Sequence, residues 1–111
     1  MAGCNGGTFD ELQKAPVSFQ LNTLRTRDQV ARCVSDALSR FGSDVGNFPE
    51  IEPGVTRLTL GGYDGYGYRN YYLIDIADQE RGTRVSVRHS KPKDDKLSSD
   101  AFNDIVSRCA P

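Results

Sequence analysis

The clearest pattern in the chain is an alternation of apolar and polar residues over two neighbouring segments, 69–76 and 83–90. The apolar positions that alternate are Tyr72, Ile74, Ile76, Val85 and Val87. A period of two residues predicts half-buried β-strands. The residues between them, 78–82, are turn formers and end in Gly82, which accepts a positive φ angle. We therefore expect a β-hairpin, around which the rest of the chain packs.

A second pattern has helical spacing and predicts two amphipathic helices. The first begins at Thr26, with Gln29 three residues later as its capping partner, and ends before Gly42. Its apolar stripe comprises Val30, Cys33, Val34, Ala37, Leu38 and Phe41. The second helix begins after Ser98 or Ser99. Its stripe comprises Phe102, Ile105, Val106 and Cys109.

Two shorter alternations, over 17–21 and 55–60, predict further strands. We interpret 43–54, with Pro49 and Pro53, and the glycine-rich 61–68 as loops. The order is then strand, helix, strand, strand, strand, helix. This order predicts an α+β two-layer sandwich, in which two helices cover one face of an antiparallel sheet of three to four strands.

Length and composition indicate one globular domain. The chain has 111 residues, 37% hydrophobic and 26% charged. We assign the domain to 17–111 and interpret 1–16 as a flexible tether. Within it, 8–11 has the spacing of a capping box, which indicates one helical turn that Pro16 would stop. No apolar run reaches the length of a transmembrane helix. The net charge of −1 makes a nucleic-acid partner unfavourable, because such proteins usually carry a basic excess.

The three cysteines are Cys4, Cys33 and Cys109. Cys33 and Cys109 lie on apolar helical stripes that need the same sheet face, so we expect a disulfide between the two helices. Such bonds persist in oxidising compartments and favour an exported protein. Two buried free thiols, as in a cytosolic core, are the alternative.

The beginning of the chain, Met1-Ala2-Gly3-Cys4, resembles the end of a bacterial lipobox, Leu-Ala-Gly-Cys. The resemblance covers four residues and implies that Cys4 becomes the lipidated first residue of a lipoprotein in the periplasm or outer membrane. Met1 stands where leucine is usual, and we interpret it as a start codon that replaces the leader. The alternative is a cytosolic protein that begins this way by chance.

All five tyrosines lie between positions 63 and 72. In the connection 61–68, Tyr63, Asp64, Tyr66 and Tyr68 are a possible binding loop, since tyrosine rings stack on sugars or peptides and their hydroxyls hydrogen-bond. The alternative is a structural connection whose tyrosines cover a sheet edge.

Polar residues of the hairpin suggest a second candidate surface. We expect Tyr71, Arg84 and Arg88 on an open sheet face, as a possible docking patch for a protein. The basic residues Arg57, Arg69 and His89 are assigned to the same face. Asp75 also points outward and is expected to pair with one of the arginines across the strands.

Catalytic chemistry has little support in the sequence. His89 is the only histidine, which is too few for a zinc site built with cysteines. A Cys–His nucleophilic pair would need Cys33 or Cys109 exposed. We expect no enzyme activity, no metal and no cofactor.

These features favour a lipid-anchored envelope domain that binds a protein or cell-wall glycan; an envelope-assembly accessory and a surface antigen fit equally well. One alternative is a double-stranded-RNA-binding module, because the element order from Thr26 resembles that family. Lys91, Lys93 and Lys96 lie near the position of its phosphate-binding lysines, but in a loop and beside acidic residues. A periplasmic inhibitor or immunity protein is the other alternative.

Overall fold

A computed structural model of the protein describes residues 9–40, 44–63, 68–89 and 98–111. It contains five strands, β1 Val17–Thr23, β2 Asp44–Glu52, β3 Val55–Tyr63, β4 Tyr68–Asp78 and β5 Thr83–His89. The helices are α1 Phe9–Lys14, α2 Arg27–Ser39 and α3 Ser99–Cys109.

The strands form one antiparallel sheet in the order β1-β5-β4-β3-β2. Strands β2 to β5 follow one another as a meander, and β1 adds to the far side of β5. The expected hairpin is confirmed as β4 and β5, with Ile74 opposite Val87 and Ile76 opposite Val85. Helix α2 connects the two edge strands and therefore crosses the whole width of the sheet.

The main core lies between one sheet face and helices α2 and α3. Val30, Val34 and Leu38 of α2 are completely buried there, as are Phe102 and Val106 of α3. The ring of Tyr72 stacks on Phe102, with 3.8 Å between the centroids. The predicted stripes thus pack on the hairpin through these described residues, as expected.

The predicted helix starts are also confirmed. The hydroxyl of Thr26 accepts a hydrogen bond from the Gln29 N–H, and the Gln29 side chain accepts one from the Thr26 N–H. Ser98 caps α3 by accepting from the Ala101 N–H. Phe41 and Gly42, the predicted end of the first helix, lie outside the described residues.

The expected sheet of three to four strands is wrong, because residues 44–52 form a fifth strand instead of a loop. Strand β2 lies at the sheet edge and most of its residues are exposed, so it shows no alternation of apolar and polar residues. Pro49 also falls inside it, and the register with β3 shifts between Phe48 and Glu52. Pairing with β3 makes this segment a strand.

Two further elements differ from expectation. The helical turn indicated within the tether is present as α1, over residues 9–14, but it is packed instead of flexible, since Leu12 is completely buried. The glycine-rich connection is also shorter than expected, since β3 extends to Tyr63 and β4 begins at Tyr68.

Candidate functional site

The two helices on the core side are joined by a disulfide. Cys33 and Cys109 are bonded, with a Cα–Cα distance of 5.5 Å. Cys109 is buried, whereas Cys33 is partly exposed beside a cleft that borders β2. The predicted pairing is therefore present. Cys4 lies outside the described residues.

The opposite sheet face, here called the outer face, carries a cluster of charged side chains. Arg57 on β3 donates two hydrogen bonds to Asp75 on β4, from Nε to Oδ1 at 2.7 Å and from Nη2 to Oδ2 at 3.0 Å. Arg88 on β5 adds an ion pair, with Nη1 3.6 Å from Asp75 Oδ2. The expected cross-strand pairing of Asp75 is thus found, with two arginines.

The hydrogen bonds with Asp75 raise the pKa of Arg57 above its ordinary value, although burial acts in the opposite direction; the charges of Asp75 and Glu52 add to the increase. A basic group whose pKa is higher in the folded than in the unfolded protein stabilises the fold. This contribution is complete at any pH below the pKa of the unfolded state. It is lost only as the pH rises through the folded value. Arg57 therefore stays charged at every physiological pH.

Helix α1 packs on the outer face, which is not open as expected. Arg88 Nε donates a hydrogen bond to the carbonyl of Ala15, directly after α1, at 2.9 Å. Leu12 of α1 and Leu73 of β4 are completely buried, and neither belongs to the core under α2 and α3. They form the apolar part of a second, smaller layer. The fold thus has helices on both faces of the sheet.

The structure does not bring Tyr71, Arg84 and Arg88 together. Arg84 is exposed at the start of β5, whereas Arg88 lies four residues further along, beside α1. Tyr71 packs against the core under the helices, because the pairing shifts between Leu60 opposite Tyr72 and Gly61 opposite Asn70. This β-bulge changes the alternation of β4 at Tyr71.

His89 also lies on the core side. It faces Tyr72 across β4 and β5, and the two rings stack with centroids 4.6 Å apart. The assignment of His89 to the open face is therefore corrected: it alternates with Arg88, which points the other way.

The strand pairing locates the ends of the possible binding loop. Tyr63 and Tyr68 are opposite each other at the end of the β3–β4 pair. Asp64 and Tyr66 lie outside the described residues.

Arg27, at the first position of α2, holds the β2–β3 hairpin against the helix. Its Nη1 donates to the Pro49 carbonyl and to Thr56 Oγ1, both at 3.2 Å. Its Nε also lies 3.3 Å from a carboxylate oxygen of Asp78. This single side chain connects α2 to β2, β3 and the end of β4.

Edge strand β2 carries two exposed apolar side chains, and Val17 on the opposite edge strand, β1, is 41% exposed. Phe48 is 47% exposed and Ile51 is 40% exposed. A cleft of about 570 Å³, here called the β2 groove, separates this strand from α2. Its lining comprises Arg32, Cys33, Ser35, Asp36, Ser39 and Asn47. This combination of an unpaired strand edge, exposed apolar groups and an adjacent groove is the candidate functional site.

The site is not apparent from the sequence, because 44–52 lacks the alternation of apolar and polar residues that indicates a strand. One available signal is the spacing of Arg32, Ser35, Asp36 and Ser39. It marks a polar stripe on α2 beside the apolar one. Leu12 and Arg27 were also not recognised as packing residues.

Within the described ranges, no three His, Cys, Asp or Glu side chains are grouped as a metal site. None of the helices in that part of the chain has the length and hydropathy of a membrane span.

No protein-family model, curated protein or solved structure matches this chain.

Proposed function

We propose that this chain is a non-catalytic domain of the bacterial cell envelope, anchored through a lipid on Cys4, that binds a protein or cell-wall partner. The observation that carries the proposal is the Cys33–Cys109 disulfide. Disulfides persist mainly in oxidising compartments such as the periplasm. Because this bond uses two of the three cysteines, it leaves Cys4, in the lipobox-like start, as the odd one.

Two placements support a binding role over catalysis. The disulfide occupies the thiols of Cys33 and Cys109, so neither acts as a nucleophile while it is intact. His89 is stacked against Tyr72 at the margin of the core. An exposed strand edge with Phe48, by contrast, is a typical site for contact with another protein.

The RNA-binding alternative loses its structural support. It rested on three strands between two helices, whereas four strands, β2 to β5, lie between α2 and α3. Lys91, Lys93 and Lys96 lie outside the described residues. An inhibitor or immunity protein would also be a non-catalytic envelope protein that binds another protein. It differs from the proposed function only in the identity of that partner.

The proposal is tested by metabolic labelling in a bacterial host that expresses the chain behind a lipoprotein signal peptide. An alkyne-labelled palmitate should be incorporated into the protein and recovered in the membrane fraction. The Cys4→Ser variant should lose the label, whereas the Ser90→Ala variant, a matched control far along the chain, should keep it. Absence of label from the unchanged protein, or equal label in Cys4→Ser, would contradict lipid anchoring.

A further inference from the structure

We propose that β2 is a peptide-binding edge, on which an extended, basic peptide segment of a partner protein adds as a sixth strand. This inference deepens the proposed binding function and rests on it. The first observation is topological. Among the residues that the structure describes, β2 pairs with β3 on one side only, because it is the last strand in the sheet order. One side of its backbone is therefore directed away from every strand of the sheet, and such an edge is a template for strand addition.

The second observation is the β2 groove beside this edge. Arg32, Ser35, Asp36 and Ser39 follow i, i+3, i+4 and i+7 spacing, so they lie on one side of α2, and Asn47 faces them from β2. In an added strand, successive side chains point to opposite faces of the sheet. Every second side chain of the peptide would enter this groove, where hydroxyl, amide and charged groups are available for hydrogen bonding.

The other side chains of the peptide would lie beside Phe48. This residue is opposite Arg57 in the β2–β3 register and therefore on the outer face. Its exposed ring offers apolar contact to one peptide side chain. The usable edge is Asp44–Phe48, about 17 Å long, since Pro49 lacks an N–H and the regular pairing with β3 is interrupted after Phe48.

Charge identifies the class of partner. The ionisable residues of β2 are Asp44, at the start of the usable edge, and Glu50 and Glu52, just beyond its end. All three are exposed and acidic, and Glu50 lies 3.8 Å from Arg27 Nη2. In the groove, Arg32 pairs with Asp28 at 3.1 Å and Asp36 lies 3.9 Å from Arg40. The strand thus contributes a net negative field, which favours a peptide with lysine or arginine. Two copies of β2 placed edge to edge would bring like charges together, so a second copy of this chain is disfavoured.

The test uses a displayed library of random 12-residue peptides, selected on the oxidised chain. We expect enriched sequences with basic and apolar residues at alternate positions. Affinities are then measured by fluorescence polarisation. Combining Asp44→Lys with Glu52→Lys should weaken binding about tenfold, because complementary charges are replaced by like charges. Glu50 is left unchanged, since it accepts a hydrogen bond from the Gly54 N–H.

The matched control combines Asp10→Lys with Asp104→Lys, which changes the net charge equally at exposed helical positions. It should bind within about twofold of the unchanged chain. Phe48→Ser is a second variant without a charge change and should also weaken binding. N-methylation of alternate peptide amides should abolish it, because strand addition depends on backbone hydrogen bonds. Circular dichroism establishes that each variant is folded.

Three results would overturn the inference: no peptide is enriched, the enriched peptides bind the β2 variant and the control equally, or the chain dimerises with the amides of 44–48 protected. The outcome is independent of the proposed envelope location. Peptide binding without lipid labelling would contradict only the location, and labelling without peptide binding would contradict only this site.

Discussion

Arg57 and Asp75 face each other across β3 and β4 and form a bidentate ion pair on the outer face. The two side chains are only 14% and 18% exposed. A guanidinium and a carboxylate held this way are mutually dependent, because removing one leaves the other poorly solvated. The pair fixes the register of β3 on β4 next to the layer that contains α1.

The Asp75→Asn substitution should therefore destabilise the domain by about 2 kcal/mol. It leaves two partly buried arginines without their shared carboxylate. Chemical denaturation measures the change. The control is Asp28→Asn, which breaks the Arg32–Asp28 pair whose side chains are more than 70% exposed. That substitution should cost less than about 1 kcal/mol. Equal losses of stability in the two variants would show that the outer-face ion pair stabilises the domain no more than an exposed pair does.

Leu12 tests whether α1 belongs to the folded domain. Leu12 is completely buried, whereas Leu24 is 83% exposed. Leu12→Ala should cost about 2 to 4 kcal/mol because it leaves a cavity between α1 and the sheet. Leu24→Ala removes the same atoms at the surface and should change stability by less than about 0.5 kcal/mol. Similar unfolding midpoints for the two variants would contradict the packing of α1.

The two glycines with positive φ angles should respond differently to alanine. Gly82 has φ +83°, and an added Cβ would overlap the Thr23 carbonyl oxygen. Gly54 has φ +82°, but the nearest atom to an added Cβ is Asp78 Oδ2 at 3.5 Å. We expect about 1 kcal/mol for Gly54→Ala, from backbone strain alone. Gly82→Ala should cost at least about 3 kcal/mol in thermal or chemical unfolding. The reverse order would contradict the close contact of the β4–β5 turn with residues 23–24.

Arg27 should control the local stability of the β2–β3 hairpin. Arg27→Ala removes the hydrogen bonds to Pro49 and Thr56, at a cost of about 1 to 2 kcal/mol. Native-state hydrogen exchange should become faster in 49–56 and remain nearly unchanged in β5. Arg32→Ala, at an exposed position of the same helix, is the control. Uniform acceleration over the whole sheet would argue against a local role.

Elements that bury one face could be predicted from the sequence, because their apolar residues are periodic. The alternation at Ile74 and Ile76 and the helical stripe at Val30 and Val34 specify which side faces the core, and both were predicted correctly. The expected disulfide followed from these stripes. Its two cysteines are 76 positions apart, and the chain-entropy model assigns such a loop about 4.5 kcal/mol of stabilisation.

The missed features depend on tertiary contacts. Strand β2 is exposed on most positions and exists because β3 supplies its hydrogen bonds. Helix α1 has only six residues and is stabilised by packing, not by its own length. The bulge that moves Tyr71 to the core side depends on the register of β3 against β4. None of these has a periodic signature within its own segment.

The disulfide is also the main support for the proposed envelope location, and it is open to direct measurement. Protein made under oxidising conditions is denatured without reduction, alkylated, weighed intact and mapped by proteolysis. We expect one alkylated cysteine, Cys4, and a linked peptide pair that contains Cys33 and Cys109. Three alkylated cysteines, or a bond from Cys4 to either of the others, would contradict the disulfide between α2 and α3. Either result would also remove the main support for the proposed export of the protein.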